Sequence, residues 1–385
     1  MDFSYPPEAE AFREELRAWL ERALEPRFRA EEGAIGASPE RIARLREWNR
    51  RLADAGYAAI AWPREFGGRG AGALEQVVFT EEMHRAGAPP TLNPIGLANI
   101  APAIMQHGSD AQKQRFLRPM LRGDEIWCQG FSEPGAGSDL ASLRTSAVRE
   151  GEVFVVNGQK VWNTLGEVAD WCELLVRSDP AAPKHRGISC LLVDMKLPGI
   201  EVRPIRSITG DTEFSEIFLR DVRVPAGMLL GPLHQGWKVA MTTLNNERGG
   251  VATLHLMVRK KIQELFALAR RTERDGRPLA ADPLLRQRLA RLYLDGEYLK
   301  LLSERALSAL VHGRAGAEGS LVKLVWSQTQ QQLYEVAAEL LGPEAATHAL
   351  GWQRVHARSL SIAGGTTQVN KNIVAQRVLG LPRSA

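Results

Sequence analysis

The periodicity of apolar residues changes twice along this chain of 385 residues, and those changes constrain the fold more than any other feature. Up to residue 125 the pattern is helical. Phe12, Leu16, Trp19, Leu20 and Leu24 share one helical face. Ser38-Pro39 reads as an N-cap with proline in the first turn, and Gly56 as the stop. A third helix is expected over residues 74–86, ending at Gly87. Ser109 with Gln112 forms a capping box for a fourth, which buries Phe116 and Leu117. From Ile126 short runs rich in β-branched residues alternate with turns, at 153–156, 188–193, 202–205 and 214–219. Asn157-Gly158 between apolar runs signals a hairpin, and residues 221–225 read as a last strand stopped by Pro225. The helical period then returns in one long helix over 237–271, followed by helices opening at Asp282-Pro283 and Ser320 and a fourth over 366–379. The layout is thus helical over 1–125, β over 126–232 and helical over 233–385.

A chain of this length exceeds one small core and suits several domains. Charge is nearly balanced, 49 basic against 45 acidic residues with a net of +4. Arg270, Arg271, Arg274 and Arg277 sit among Glu273 and Asp275, which reads as a solvated helix end rather than a nucleic-acid patch. Cys128, Cys172 and Cys190 form no C-x-x-C, which fits a reducing compartment. Residues 1–8 lack the basic and apolar runs of a secretion signal, and no apolar run approaches the roughly 20 residues of a membrane helix. The expectation is a soluble, cytoplasmic protein with no nucleic-acid or membrane partner. The histidines are scattered without ligand spacing, so no metal is expected.

Two blocks carry the chemical information: Gln129-Gly130-Phe131-Ser132-Glu133-Pro134-Gly135-Ala136-Gly137-Ser138-Asp139-Leu140 and Asn157-Gly158-Gln159-Lys160-Val161-Trp162-Asn163-Thr164. Glycines let backbone amides approach an anionic group. A tryptophan two residues before a hydroxyl can cover a flat ring while the hydroxyl bonds its edge. Either block alone is also consistent with a Gly-rich turn or a hairpin; the two in order favour a ligand.

Together the blocks resemble the flavin-binding signature of the acyl-CoA dehydrogenases. The resemblance extends to Trp62-Pro63-Arg64-Glu65-Phe66-Gly67-Gly68, to Gly364-Gly365-Thr366-Thr367-Gln368 and to Val378-Leu379-Gly380-Leu381-Pro382-Arg383. It implies an α+β multidomain fold: an N-terminal helical domain, a middle β-barrel-like domain and a C-terminal four-helix bundle. It implies FAD as cofactor, an acyl-CoA substrate desaturated at its α,β-carbons, and electron-transferring flavoprotein as acceptor. Phe131, Ser132, Ser138, Trp162 and Thr164 fall where relatives contact FAD, and Thr366 and Gln368 match positions near the flavin or its diphosphate. An N-cap for the last helix is the other role open to Thr366.

The resemblance departs from the common pattern at three places. Many relatives carry a glutamate base just before Gly-Thr, where this chain has Gly364; only its backbone N–H remains, able to donate to a thioester oxygen. Isovaleryl- and long-chain-type relatives place the base on the helix after the β domain, which here corresponds to Glu247 in Leu244-Asn245-Asn246-Glu247-Arg248. Asn245 and Arg248 match positions near the bound acyl-CoA. Homotetrameric relatives carry Arg-x-x-Phe-Gly where this chain has Arg274-Asp275-Gly276-Arg277-Pro278, so that Arg274 only partly replaces the motif. Glu339 stands where glutamine is customary, and Gly342-Pro343-Glu344-Ala345 replaces a Gly-Gly-x-Gly. A homo- or heterotetramer is implied, the latter with a paralogous subunit completing the FAD site. Two other readings stay open: a non-catalytic subunit that completes a partner's site, and a flavin oxidase or monooxygenase on the same scaffold.

Overall fold

A computed structural model describes residues 5–29, 38–247, 253–312 and 316–382. Five helices open the chain: α1 (Pro7–Ala23), α2 (Pro39–Asp54), α3 (Ala73–Ala86), α4 (Ala101–His107) and α5 (Asp110–Arg122). Their ends follow the capping residues. Ser38 Oγ accepts from Arg41 N at the start of α2, and Gly87 closes α3 in the left-handed region. Both bonds of the Ser109–Gln112 box are present at α5. The Gln112 amide goes on to donate to the Gly227 and Leu229 carbonyls, each at 3.0 Å, tying the cap to the β domain. The π turn Gly96–Ile100 and α4, which follows it directly, were not anticipated from the sequence.

The middle region forms an eight-stranded sheet: β1 (Trp127–Gly130), β2 (Ser146–Glu150), β3 (Val153–Thr164), β4 (Trp171–Arg177), β5 (Ile188–Asp194), β6 (Ile200–Ile205), β7 (Phe214–Pro225) and β8 (Leu229–Leu230). The order is β6-β7-β3-β2-β4-β5-β8, with β1 parallel to β4. One face closes on Phe154, Val156, Leu174, Val176, Leu191 and Ile217.

Two strand expectations are corrected. Asn157-Gly158 is not a hairpin turn, because β3 runs through it and the turn to β2 lies at Gly151. Gly158 has φ +155°, and a Cβ there would sit 2.5 Å from Thr145 Oγ1. The glycine therefore permits a close approach inside a bulged strand. Asn157 bridges the irregularity by bonding Asp221, whose strand it faces. The expected strands over 214–219 and 221–225 are one strand, β7, and it is not the last, since β8 follows Pro225.

The chain then forms α6 (Gly236–Glu247), α7 (Leu254–Arg271), the short strands β9 (Glu273–Arg274) and β10 (Arg277–Pro278), α8 (Pro283–Val311), α9 (Glu318–Leu341), α10 (Ala349–His356) and α11 (Thr367–Ile373). Residues 248–252 of the expected long helix lie outside the described residues, and the helix over 366–379 is α11 followed by the π turn Val374–Val378. α7, α8 and α9 share a core of Ile262, Leu265, Leu292, Leu299, Leu333 and Ala337. α6 joins a different core: Val239 and Ala240 pack with Ile100, Ile104, Leu175, Cys190 and Leu192. It is thereby clamped between the N-terminal helices and the sheet. The same seam is stitched by Phe116, Trp127 and Trp171, with ring centroids 4.8–5.7 Å apart. No helix among the described residues is long and apolar enough to cross a membrane.

Inside the N-terminal domain Glu82, 1% exposed, accepts hydrogen bonds from Arg13, Arg17 and Arg85. Burial alone would raise its carboxyl, but the three guanidiniums outweigh it and hold it at about 2 against an ordinary 4.5. With the folded value depressed, the stabilisation is complete above the ordinary value and is lost as pH falls towards the folded one. Glu82→Gln should lower stability by roughly 2 kcal/mol at neutral pH. It should also flatten the acid limb of a stability-versus-pH curve from urea melts; an unchanged acid limb would mean that Glu82 is not its source.

Candidate functional site

The loop after β1 is shaped by one buried ion pair. Lys160, fully buried on β3, donates to the Phe131 carbonyl at 3.1 Å and to Glu133 Oε1 at 2.8 Å. Glu133 also receives Arg144 N at 2.7 Å and Thr145 N at 2.8 Å. Burial would push this carboxyl up, but Lys160 and the two backbone donors hold it below the ordinary carboxylate range. Glu133 and Ala136 exchange both backbone bonds around Pro134-Gly135, each at 3.0 Å. A Cβ on Gly135 or Gly137 would meet nothing within 4 Å, and neither residue has a positive φ. Nothing local demands glycine there, so the open backbone is available to an incoming group.

β3 then breaks its alternation. Phe154 and Val156 face inwards, so a regular strand would bury position 162. The register against β7 instead shifts between Lys160 and Asn163. Val161 and Asn163 are buried, and Trp162 is turned out at φ +64° with 59% of its surface exposed. Its indole and the Phe214 ring form a T-shaped pair with centroids 5.9 Å apart. A bulky residue at positive φ is a strained arrangement. Val161 N bonds the Ser132 carbonyl at 2.9 Å, and Asn163 Nδ2 bonds the Gln129 carbonyl, so the ends of β1 and β3 move as one piece. Phe131, Ser132, Trp162 and Thr164 are gathered there, and Ser138 is exposed on the adjoining loop. Asn163 Oδ1 is buried without a partner.

The remaining expected residues sit elsewhere. Gly364 and Gly365 have φ of +66° and +95°, a backbone that an L side chain rarely adopts. The turn itself thus disfavours a glutamate at 364. Thr366 Oγ1 caps α11 by accepting from Val369 N at 3.2 Å, and Gln368 is exposed. This segment is joined to the β domain through α10, where Trp352 Nε1 bonds Asp211 at 2.7 Å close to the start of β7. Arg274, exposed on β9, bonds the Glu339 carbonyl at 3.3 Å, and the Glu339 side chain pairs with Arg288. Asn245 is exposed on the last turn of α6. Glu247 is the final residue of that helix, with its side chain outside the described part, and Arg248 lies outside the described residues.

One group escaped the sequence reading. Glu173 on β4 is fully buried on the face that meets α6. Thr243 Oγ1 bonds its Oε1 at 2.8 Å, Cys190 Sγ lies 3.9 Å from the same atom, and Oε2 has no partner among the described residues. Burial pushes this carboxyl up to about 8, against smaller opposing contributions from Thr243 and Cys190. A carboxylate inside the apolar run Trp171-Cys172-Glu173-Leu174-Leu175-Val176 was the available signal.

Removing the charge of Lys160 while leaving Glu133 in place strands a buried carboxylate. Lys160→Met should destabilise the protein by roughly 3–5 kcal/mol, and adding Glu133→Gln should recover part of that loss. Urea titration of both variants checks this; an unaltered midpoint in the single variant would show that the pair does not hold the loop.

Comparison with known proteins follows the same three parts. Family descriptions of the acyl-CoA dehydrogenase N-terminal, middle and C-terminal domains match residues 6–124, 128–222 and 234–379. Acyl-CoA dehydrogenase IpdE1 of Mycobacterium tuberculosis is 40% identical over 390 residues, covering 98% of this chain and 99% of that protein. The solved Tcur3481–Tcur3483 steroid ACAD superimposes with a TM-score of 0.87 at 32% identity, covering 100% of both chains. The ChsE4–ChsE5 complex from Mycobacterium tuberculosis gives 0.84 at 33% identity, again covering 100% of both chains. With matches along all three parts and over nearly its full length, the chain belongs to the acyl-CoA dehydrogenase family, a family of oxidoreductases.

Proposed function

We propose that this protein is an FAD-dependent dehydrogenase that converts an acyl-CoA thioester to its trans-2-enoyl form, with Glu247 taking the α proton. The observation that carries the cofactor assignment is the bulge at Val161-Trp162, which turns the indole outwards on a strand bonded to Ser132, in the same loop as the open Gly135-Ala136-Gly137 backbone. A flat ring fits the first, and an anionic diphosphate fits the second with Ser138 next to it. FAD, when bound, supplies the hydride acceptor for the β carbon. Phe131, Ser132, Trp162 and Thr164 would hold its ring, Thr366 and Gln368 would reach it from the C-terminal region, and Arg274 would contact the FAD of a neighbouring subunit. In this reading the chain divides into domains at 125/126 and 232/233.

The base assignment rests on two neighbouring facts. The Gly364-Gly365 turn has no side chain to accept a proton, and its geometry disfavours one. α6, clamped between helices and sheet, ends at a carboxylate residue. Glu247 would take the proton, the Gly364 N–H would donate to the thioester oxygen, and Asn245 and Arg248 would contact the acyl-CoA. The small Ala363-Gly364-Gly365 segment leaves room for a bulky or branched acyl group such as a steroid side chain, in keeping with the steroid ACAD among the similar structures.

A heteromeric assembly is the second reading. Arg274 bonds the Glu339 carbonyl and Arg288 pairs with the Glu339 side chain, so the C-terminal residues expected to grip a neighbouring subunit's FAD are engaged within the chain. A paralogous subunit would supply that half, and similar structures include two named as pairs of chains. Electron-transferring flavoprotein would be the electron acceptor.

The test is anaerobic flavin bleaching by a panel of straight and branched acyl-CoA thioesters, comparing wild type with Glu247→Gln. Bleaching should fall by at least roughly a thousandfold in the variant while FAD remains bound. Equal rates would remove Glu247 as the base, and a colourless wild-type chain that gains flavin only with a second subunit would favour the heteromer.

A further inference from the structure

Glu173 and Glu247 are connected by one helix. Thr243, which holds the Glu173 carboxyl, lies four residues before Glu247 on α6, one helical turn away. Glu173 is anchored on the strand side by its place between β1 and β5, opposite Gln129 and Leu192. This bond joins the sheet to α6 where Val239, Ala240, Cys190 and Leu192 otherwise supply only apolar contact. We propose that Glu173, in its uncharged form, is a positioning residue: through Thr243 it seats α6 on the sheet and so sets where the Glu247 end of the helix lies. The inference rests on the proposed role of Glu247.

Among the described residues, the groups around the carboxyl leave it without a counter-charge. β5 contributes the Cys190 thiol, α6 contributes Thr243, and β1 contributes Gln129, whose Nε2 is itself buried without a partner. The Cys172 thiol is another titratable group that feels Glu173. Lys160, the buried cation of the region, is committed to Glu133 and Phe131. From α4, His107 bonds Thr242 rather than Thr243. No ion pair to Glu173 exists among the described residues. An uncharged Oε1–H can donate to Thr243 Oγ1, which in turn lies 3.3 Å from the Val239 carbonyl and can donate to it. The chain β4–Glu173–Thr243–Val239 is then satisfied in one direction. Ionisation reverses the first bond and leaves a charge with one hydroxyl and a distant thiol as partners. The relief available is water entering between β4 and α6, which displaces the helix end.

The folded value near 8 lies above the ordinary 4.5, so the native state holds a proton that the unfolded chain gives up in between. Stability therefore falls as pH rises from 4.5 to about 8 and levels off above it. The test uses the flavin-loaded protein. Bleaching rates are measured across neutral and alkaline pH for wild type, Glu173→Gln, Thr243→Val and Thr243→Ser. The infrared carbonyl band of protonated carboxyl groups is recorded on the same samples without substrate. Wild-type bleaching should fall roughly tenfold across the Glu173 titration and level off above it, whereas the rate ratio of Glu173→Gln across that range should stay near one. Thr243→Val should slow bleaching roughly tenfold below the Glu173 titration through loss of the seating bond and match wild type above it, and Thr243→Ser should restore the wild-type profile. The infrared band should be present at neutral pH, vanish in alkali and be missing in Glu173→Gln. A Glu173→Gln profile that still falls, or the absence of the band in wild type, overturns the proposal. Equal bleaching by Glu247→Gln with the band intact overturns the base alone and leaves the seating of α6 standing.

Discussion

The buried pair of Lys160 and Glu133 is the constraint on which the candidate site depends. A lysine inside a β domain is costly unless its charge and donors are used. Here one ammonium fixes the Phe131 carbonyl and the Glu133 carboxylate, and that carboxylate fixes two amides across the loop. The glycines of the loop are then free of structural duty. Two residues further along β3 the strand slips its register and ejects an indole. Both halves of the proposed flavin cradle thus connect to one ammonium: Trp162 lies two residues beyond Lys160 on β3, and the loop glycines follow the Glu133 that Lys160 bonds.

The second organising feature is the seam between the N-terminal helices and the outer face of the sheet. It holds the tryptophan–phenylalanine cluster, the Gln112 side chain and the whole buried face of α6. α6 follows the β domain in sequence, yet it packs with the first domain rather than with α7–α9. A helix gripped from two sides has a fixed position along its packed turns, which the role proposed for Glu247 as base would require. The Gly364-Gly365 turn offers no such grip.

Legibility in the sequence followed the range of the forces involved. Helix ends at Ser38, Gly87 and Ser109 could be read because capping is local chemistry among adjacent residues. The three-part order could be read because periodicity averages over many residues. Asn157-Gly158 misled because the same dipeptide serves a turn or a tight passage, and only the nearness of Thr145, set by tertiary structure, decides between them. The π turn at Gly96–Ile100 carries no distinct signature. Of the site, the loop and Trp162 were found by their resemblance to a family motif. The inward Lys160 and outward Trp162 depended on a register slip that alternation cannot forecast. Glu173 was legible and was passed over: a lone acid in a continuous apolar strand is a departure from pattern of the kind that marks function or strain.

The exposed indole of Trp162 has a consequence for how long the protein lasts in the cell. Its exposed, apolar plane at positive φ is a surface that a flat ligand, flavin in the proposed reading, can cover. A ligand that covers the plane binds only the folded state, so it adds to folding stability in proportion to the logarithm of its concentration, about 2.7 kcal/mol at a hundred times its dissociation constant. Under the proposed reading, flavin supply then governs how much of this chain survives in the cell as well as how much of it is active.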